Sequence, residues 1–249
     1  MWPALVCALA AGAGAWFVPV LIARIPEPEP EPEREGGADP EDRTLFSGDL
    51  PPAPPKEPYV DIAARPGLAL RSAVGAAISG AGIGAAVGWS GALLFLVPFV
   101  PLAVALFVID LRTTLLPSWL IKPAYPALLV LIGLAARVDR DLSSLERAGW
   151  GWLVIGGWFL VFWVVTGGGG WGYGDVRLSG LLGLALGYLG WPELLGGLML
   201  IFLVGAFGAV AVAIGSRSMK ARVPYGPYML IGAWLGVVLG PWLATGMGY

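Results

Sequence analysis

Two aspartates, Asp110 and Asp175, stand at the ends of apolar segments in a chain that is otherwise mostly hydrocarbon. Asp110 closes the run Leu102 to Ile109. Asp175 closes the turn Gly172-Tyr173-Gly174-Asp175, and a new apolar run begins just after it. Past residue 66 the only other acids are Asp139, Asp141, Glu146 and Glu193. Ionisable groups at membrane depth are costly to place and by default mark function. Paired carboxylates are the minimum equipment of an acid–base hydrolase that needs no metal. Two of them a few ångström apart do not both ionise easily, so one stays protonated. The ionised partner takes a proton from water, which attacks a peptide carbonyl. The protonated partner hydrogen-bonds the carbonyl oxygen and later protonates the leaving amine. The sequence does not say which aspartate plays which part.

Each aspartate also has a purely structural reading. Asp110 could pair with Arg112 or Lys122, and Asp175 could cap a helix start beside Arg177. Upstream of Asp175, Gly167 to Gly170 form a run that cannot hold a stable helix. No Gly-Lys-Ser/Thr follows, so this is not a phosphate-binding loop.

The elements that must position this pair are membrane helices. Hydrophobic residues make up 57% of the chain and charged residues only 13%, against about 25% charged in soluble domains. A span needs about 20 apolar residues. The pattern predicts an all-α, polytopic membrane protein with about eight transmembrane helices. They cover residues 2–23, 68–89, 91–109, 119–136, 150–166, 176–189, 193–214 and 228–245, and the sixth could begin inside the glycine turn. Residues 1–25 hold the first helix and 67–249 the membrane-embedded core. Between them, residues 26–66 carry the repeat Pro26-Glu27-Pro28-Glu29-Pro30-Glu31-Pro32-Glu33 and the cluster Pro51 to Pro55. Proline removes backbone donors and glutamates repel one another, so this segment is expected to be a disordered or extended cytoplasmic loop.

Loops on one side of these spans hold twelve of the fifteen Lys and Arg residues. The other side holds Arg137, Arg140 and Arg147. The richer side is expected to be cytoplasmic. Asp110 arrives at that face and Asp175 leaves it, so both lie on one side at one depth. An even number of intervening spans lets their helices pack together.

The remaining composition excludes several classes. There is no histidine and only one cysteine, Cys7, which removes the commonest general base and any cysteine-based zinc site. Cys7 follows Val6 with no basic residue before it, so neither a lipoprotein signal nor a cleavable signal peptide is expected. A net charge of −2 carries no nucleic-acid footprint. Tryptophans near span ends, among them Trp2, Trp89 and Trp119, read as interfacial anchors. Gly80, Gly84 and Gly88, and Gly183 with Gly187, favour close helix contacts. Packing within the chain is favoured over dimerisation there, and a homo-oligomer is left open.

On these residues the chain resembles the type IV prepilin peptidases, membrane aspartyl proteases that cut leader peptides from pilin precursors at the cytoplasmic face. The family places an Asp seven residues before a Pro at the fourth span, here Asp110 and Pro117. Its second motif, Gly-x-Gly-Asp followed by Val, a basic residue and Leu, reads Gly172-Tyr173-Gly174-Asp175-Val176-Arg177-Leu178. A third stretch, Pro-aromatic-Gly-Pro, matches Pro224-Tyr225-Gly226-Pro227, and Arg24-Ile25-Pro26 resembles the end of the family's first span. The resemblance covers the hydrophobic body from about residue 68 to the end. It implies Asp110 and Asp175 as catalytic residues and Gly172, Gly174, Arg177 and Pro117 as substrate-binding residues. It also implies prepilins or pilin-like precursors as partners beside membrane lipid, a cut after a Gly, and a plasma-membrane setting in a bacterial pilus or secretion system. The chain departs from the family at Ser118, where an Asp or Asn is usual, and at Arg177, where a Lys is usual. Its first span lacks the usual Asn. Many members carry two Cys-x-x-Cys pairs after that span, which bind zinc, and a second, N-methyltransferase activity. Here the Pro-Glu segment stands instead, so no metal or other cofactor, and no methyl transfer, is expected.

Other classes compete. Presenilin-like proteases share Gly-x-Gly-Asp, but they carry Tyr-Asp at the first aspartate and Pro-Ala-Leu after the second. Here Ile109 precedes Asp110, and the Pro-Ala-Leu triplets at Pro3 and Pro126 both come before Asp175. An ion- or proton-coupled small transporter could use Asp110 and Asp175 beside a broken glycine segment, although both acids lie at one face and no inverted repeat is visible. A non-catalytic membrane scaffold is the plainest alternative.

Overall fold

The computed structural model describes residues 1–27, 57–168, 172–216 and 223–247. The described elements are all helical. They are α1 (Trp2–Ala15), α2 (Val18–Ala23), α3 (Tyr59–Ala63), α4 (Leu68–Val87), α5 (Leu93–Thr113), α6 (Ser118–Asp139), α7 (Ser143–Gly151), a π-helical turn (Trp152–Gly156), α8 (Gly157–Val165), α9 (Tyr173–Leu189), α10 (Trp191–Ser216) and α11 (Tyr225–Met247). Six stretches of helix among the described residues are long and apolar enough to cross a membrane: Trp2–Ala23, Leu68–Val87, Leu93–Thr113, Ser118–Asp139, Ser143–Val165 and Trp191–Gly215. The apolar α9 and α11, of 17 and 23 residues, bring the layout to the expected eight. The chain is an all-α, multi-pass membrane protein.

Several expectations shift in detail. The first span is two helices, because Pro19 has no N–H and its ring opposes the carbonyl four residues back, which breaks the ladder at Trp16 and Phe17. α5 does not end at Ile109. It runs to Thr113 and closes where the Thr114 N–H donates to the Asp110 carbonyl at 2.8 Å, with Thr114 in the left-handed region at φ 52°. Asp110 therefore lies within the last turn of α5. α9 begins inside the glycine turn, at Tyr173. In the loop expected to be extended, Tyr59–Ala63 is helical instead, and Tyr59 and Ile62 are buried. Those two apolar side chains give five residues a reason to order that the Pro-Glu composition does not reveal. The repeat from Pro28 onward and the cluster Pro51 to Pro55 lie outside the described residues, as do Gly169, Gly170 and Trp171.

α9 is the hub. Asp175, Val176 and every residue from Leu178 to Tyr188 are buried, which marks a helix enclosed by protein on all sides rather than by lipid. α6, α7, the π turn, α8, α10 and α11 all pack on it. Glycines make this possible. A Cβ on Gly183 would run into the Gly151 carbonyl and stand 3.1 Å from the Trp152 Cα, and one on Gly187 would stand 3.0 Å from the Gly151 Cα. In the same way Gly80 and Gly84 bring α4 against the α1 backbone at Cys7 and Pro3. Gly88 plays a different part from the one its spacing implied. It ends α4 with φ 67° and open space before it.

At the opposite end from Asp175, α9 is fastened by one carboxylate. Asp139, at the end of α6, accepts the Tyr188 hydroxyl at 2.8 Å and the Gly91 N–H at 2.6 Å. Nearby, hydrogen bonds from Ser143 and Arg147 hold the half-buried Asp141 carboxyl down to about 2.

Gly183→Leu is expected to lower the thermal midpoint of the purified protein in detergent, because overpacking a close helix contact costs about 1–3 kcal/mol. Gly133→Ala, with nothing within 4 Å of the added atom, is expected to leave the midpoint unchanged or raise it. Equal melting of the two proteins would contradict the close α7–α9 contact.

Candidate active site

Asp110 and Asp175 are 3% and 8% exposed. A buried carboxylate needs donors for its oxygens, and here the backbone supplies them. Asp175 is the third residue of α9, and its Oδ2 accepts the Gly172 N–H at 3.0 Å. It is therefore not the capping residue itself but reaches back to the residue that caps. Asp110 comes from the end of α5, where the helix dipole is unfavourable to an anion. Its Oδ2 instead accepts the Gly226 N–H, at the start of α11, at 2.9 Å. Both acids thus lie at the N-terminal end of a helix, one its own and one a neighbour's, where unpaired N–H groups favour negative charge. Neither makes the structural ion pair that Arg112, Lys122 or Arg177 offered.

The two carboxylates are close enough for their charges to interact, and Asp175 also faces Tyr225 across the same space. The sequence reading brought these two acids to one place, and the structure does the same. It missed Gly226 and Tyr225 as parts of the site, although the Pro-Tyr-Gly-Pro stretch was visible. Gly226 has to be glycine at this distance, since an added Cβ would stand 2.7 Å from the Asp110 Oδ2. Tyr225 finds room because Gly205 of α10 leaves space for its ring, and it leans on Phe159 at 6.1 Å.

The four residues expected to bind substrate divide. Gly172 is exposed beside Asp175. The others join α9 to the start of α6. Pro117 is buried and starts α6, its carbonyl accepting from the Leu120 N–H at 3.1 Å. Gly174 lets Leu116 close over the glycine turn, an added Cβ meeting the Leu116 Cβ at 2.7 Å. The Arg177 guanidinium donates to the Ser118 hydroxyl and lies over the Tyr173 ring at 4.4 Å, while its carbonyl accepts the Tyr125 hydroxyl at 2.7 Å. Ser118, a departure from the family pattern, and Arg177, another, thus meet each other: a hydroxyl suffices to receive the guanidinium. Among the described residues no group of His, Cys, Asp and Glu is arranged to hold a metal ion.

A model of the type IV leader peptidase family matches residues 98–214, which contain both aspartates. Three curated relatives bear the name prepilin leader peptidase/N-methyltransferase. That of Aeromonas hydrophila is 34% identical over 159 residues, which is 62% of this chain and 52% of the relative. That of Pseudomonas aeruginosa is 32% identical over 157 residues, 61% of this chain and 51% of the relative. The Escherichia coli K12 protein is 30% identical over 167 residues, 62% of this chain and 66% of the relative. Over these residues the chain is similar to the type IV leader peptidase family. It spans about half the length of the first two relatives. No solved structure matches it. The leader peptidase family match ends before Tyr225 and Gly226, so the backbone donor to Asp110 is an observation of the structure alone.

With Cys7 replaced by Ser, an Asp110→Cys/Asp175→Cys pair is expected to be joined by a short bifunctional thiol reagent in the membrane-inserted protein, while either single cysteine is not. Absence of the crosslink in properly inserted protein would separate the two positions.

Proposed function

We propose that this chain is an aspartyl endopeptidase that removes the leader from prepilin or pilin-like precursors at the cytoplasmic face of the plasma membrane. The observation that carries this reading is the pair of buried, electrostatically coupled carboxylates, each held by a backbone N–H at a helix start. Similarity to the leader peptidase family supports it, and neither the transporter nor the scaffold reading finds comparable support. The excess of Lys and Arg on the side of both aspartates supports the cytoplasmic orientation.

In this mechanism the pair carries one proton. The ionised aspartate accepts a proton from water as the oxygen attacks the scissile carbonyl. The protonated one hydrogen-bonds the carbonyl oxygen and then donates to the leaving amine. The N–H groups of Gly172 and Gly226 keep the two carboxyls in place and add no proton of their own to the exchange. Gly172, exposed next to Asp175, borders the residue before the cut, and its missing side chain suits a small residue there. Pro117, Gly174 and Arg177 shape the wall behind it through their contacts with α6. The hydrophobic helix of the precursor lies in the bilayer while the leader stays in the water. The relatives are named for methyl transfer as well as for peptidase activity, and no comparison supports leaving the second activity out, so the test reads both.

The chain is co-expressed with a pilin-like precursor from its own host, and the precursor's size and new N-terminus are read by mass spectrometry. Wild type is expected to cleave. Asp110→Asn and Asp175→Asn are each expected to lose about 10²–10⁴-fold in rate with insertion unchanged, the range of a general acid or base. A methyl group on the product would overturn the expectation of a peptidase alone. An intact precursor with inserted wild type, across several candidates, would overturn the peptidase reading. Gly226→Ala is expected to slow cleavage by about 10- to 100-fold, because small displacements of a catalytic group cost on that order. Cleavage at the wild-type rate would show that Asp110 does not depend on the close approach of α11.

A further inference from the structure

Beside the aspartates, but separate from them, a cavity of about 460 Å³ runs between α4, α5, α9 and α11. Its lining runs from Leu68 to Ile83 along α4 and from Leu96 to Arg112 along α5, about 22–24 Å at helical rise. That is short of a whole hydrocarbon core, about 30 Å thick. Its walls are apolar, including Phe99, Ala103 and Trp234. Its character changes at one end, on the membrane face where Asp110 lies. There Arg65, Arg71 and Arg112 line the mouth. Arg65 is held by Glu57 at 2.6 Å. Arg71 and Arg112 are exposed and form no ion pair among the described residues. Just inside the mouth, the Ser72 hydroxyl is buried without a hydrogen-bond partner in a residue 3% exposed. A native buried hydroxyl without a partner calls for an explanation, and an unfilled ligand position supplies one.

We propose that this cavity binds one anionic phospholipid, its headgroup phosphate on Arg71 and Arg112 with Ser72 as a further donor, and an acyl chain along α4 and α5. Three observations select this occupant. Two cations without an ion pair among the described residues stand on the membrane face where Asp110 lies, and basic pockets between membrane helices take anionic headgroups. The walls beyond them are apolar, as an acyl chain requires. The Ser72 hydroxyl beside them is buried and unsatisfied. A basic leader peptide would also be repelled by this mouth. The proposal does not depend on the peptidase reading.

The full chain is placed in nanodiscs of equimolar phosphatidylglycerol and phosphatidylcholine, released into detergent, and the retained lipid is weighed by native mass spectrometry. Wild type is expected to keep one phosphatidylglycerol per chain with about a 25-fold preference, since each of the two arginines contributes roughly five-fold. Arg71→Gln/Arg112→Gln is expected to level the two lipids. Gly75→Phe is expected to abolish retention without unfolding, because Gly75 lines the cavity and has nothing within 4 Å of the position of an added Cβ. Equal retention of both lipids by wild type, or unchanged preference in the arginine variant, would overturn the proposal. So would retained phosphatidylglycerol in folded Gly75→Phe protein, or displacement of the lipid by an apolar pilin-like peptide that Gly75→Phe also excludes.

Discussion

The cost of burying two carboxylates governs this structure. A carboxylate out of water requires donors, and in a membrane protein most backbone N–H groups are already used inside helices. Unused ones remain only in the first turn of a helix. Asp175 takes one from the turn that starts its own helix, at Gly172, and Asp110 takes one from Gly226 at the start of α11. The site can therefore form only where two helices begin beside the end of a third. The layout of α5, α9 and α11 follows from that need.

Close approach is the second requirement, and glycine meets it throughout. Gly226 admits the Asp110 oxygen, Gly174 admits Leu116, and Gly205 admits the ring of Tyr225. Farther along α9, Gly183 and Gly187 let α7 come against the buried helix. Side chains supply few of the contacts that fix the acids. The donors are backbone, and what the sequence contributes at these positions is the absence of a side chain. Every substitution there adds atoms, so harm comes from intrusion rather than from a lost interaction.

This explains what could be read from the sequence. Apolar run lengths reveal the spans. The scarcity of acids past residue 66 exposes Asp110 and Asp175, and the parity of the intervening spans puts them on one face. The break after Ala15 was encoded by Pro19, but hydropathy alone runs through it. The extension of α5 to Thr113 depends on a left-handed Thr114, a conformation that composition does not favour. The partner of Asp110 lies 116 residues away, and no periodicity reports a contact of that range. The glycine was legible as part of a motif, but its duty as donor was not. Arg177 is the reverse case. Its position beside Asp175 drew attention toward substrate, while in the structure its guanidinium meets Ser118 and Tyr173 and its carbonyl accepts the Tyr125 hydroxyl of α6.

Asp139 serves three segments at once: it ends α6, receives the last turn of α9 through Tyr188, and receives the start of α5 through Gly91. Tyr188 is 13 residues beyond Asp175, about 20 Å along the helix axis. Replacing this surface acid would strip partners from two donors and loosen the far end of the helix that carries a reactive group at its near end. In a genetic screen for lost function, Asp139 would score as an essential acid alongside Asp110 and Asp175. Only the amount of protein surviving in the membrane would distinguish the scaffold residue from the reactive ones.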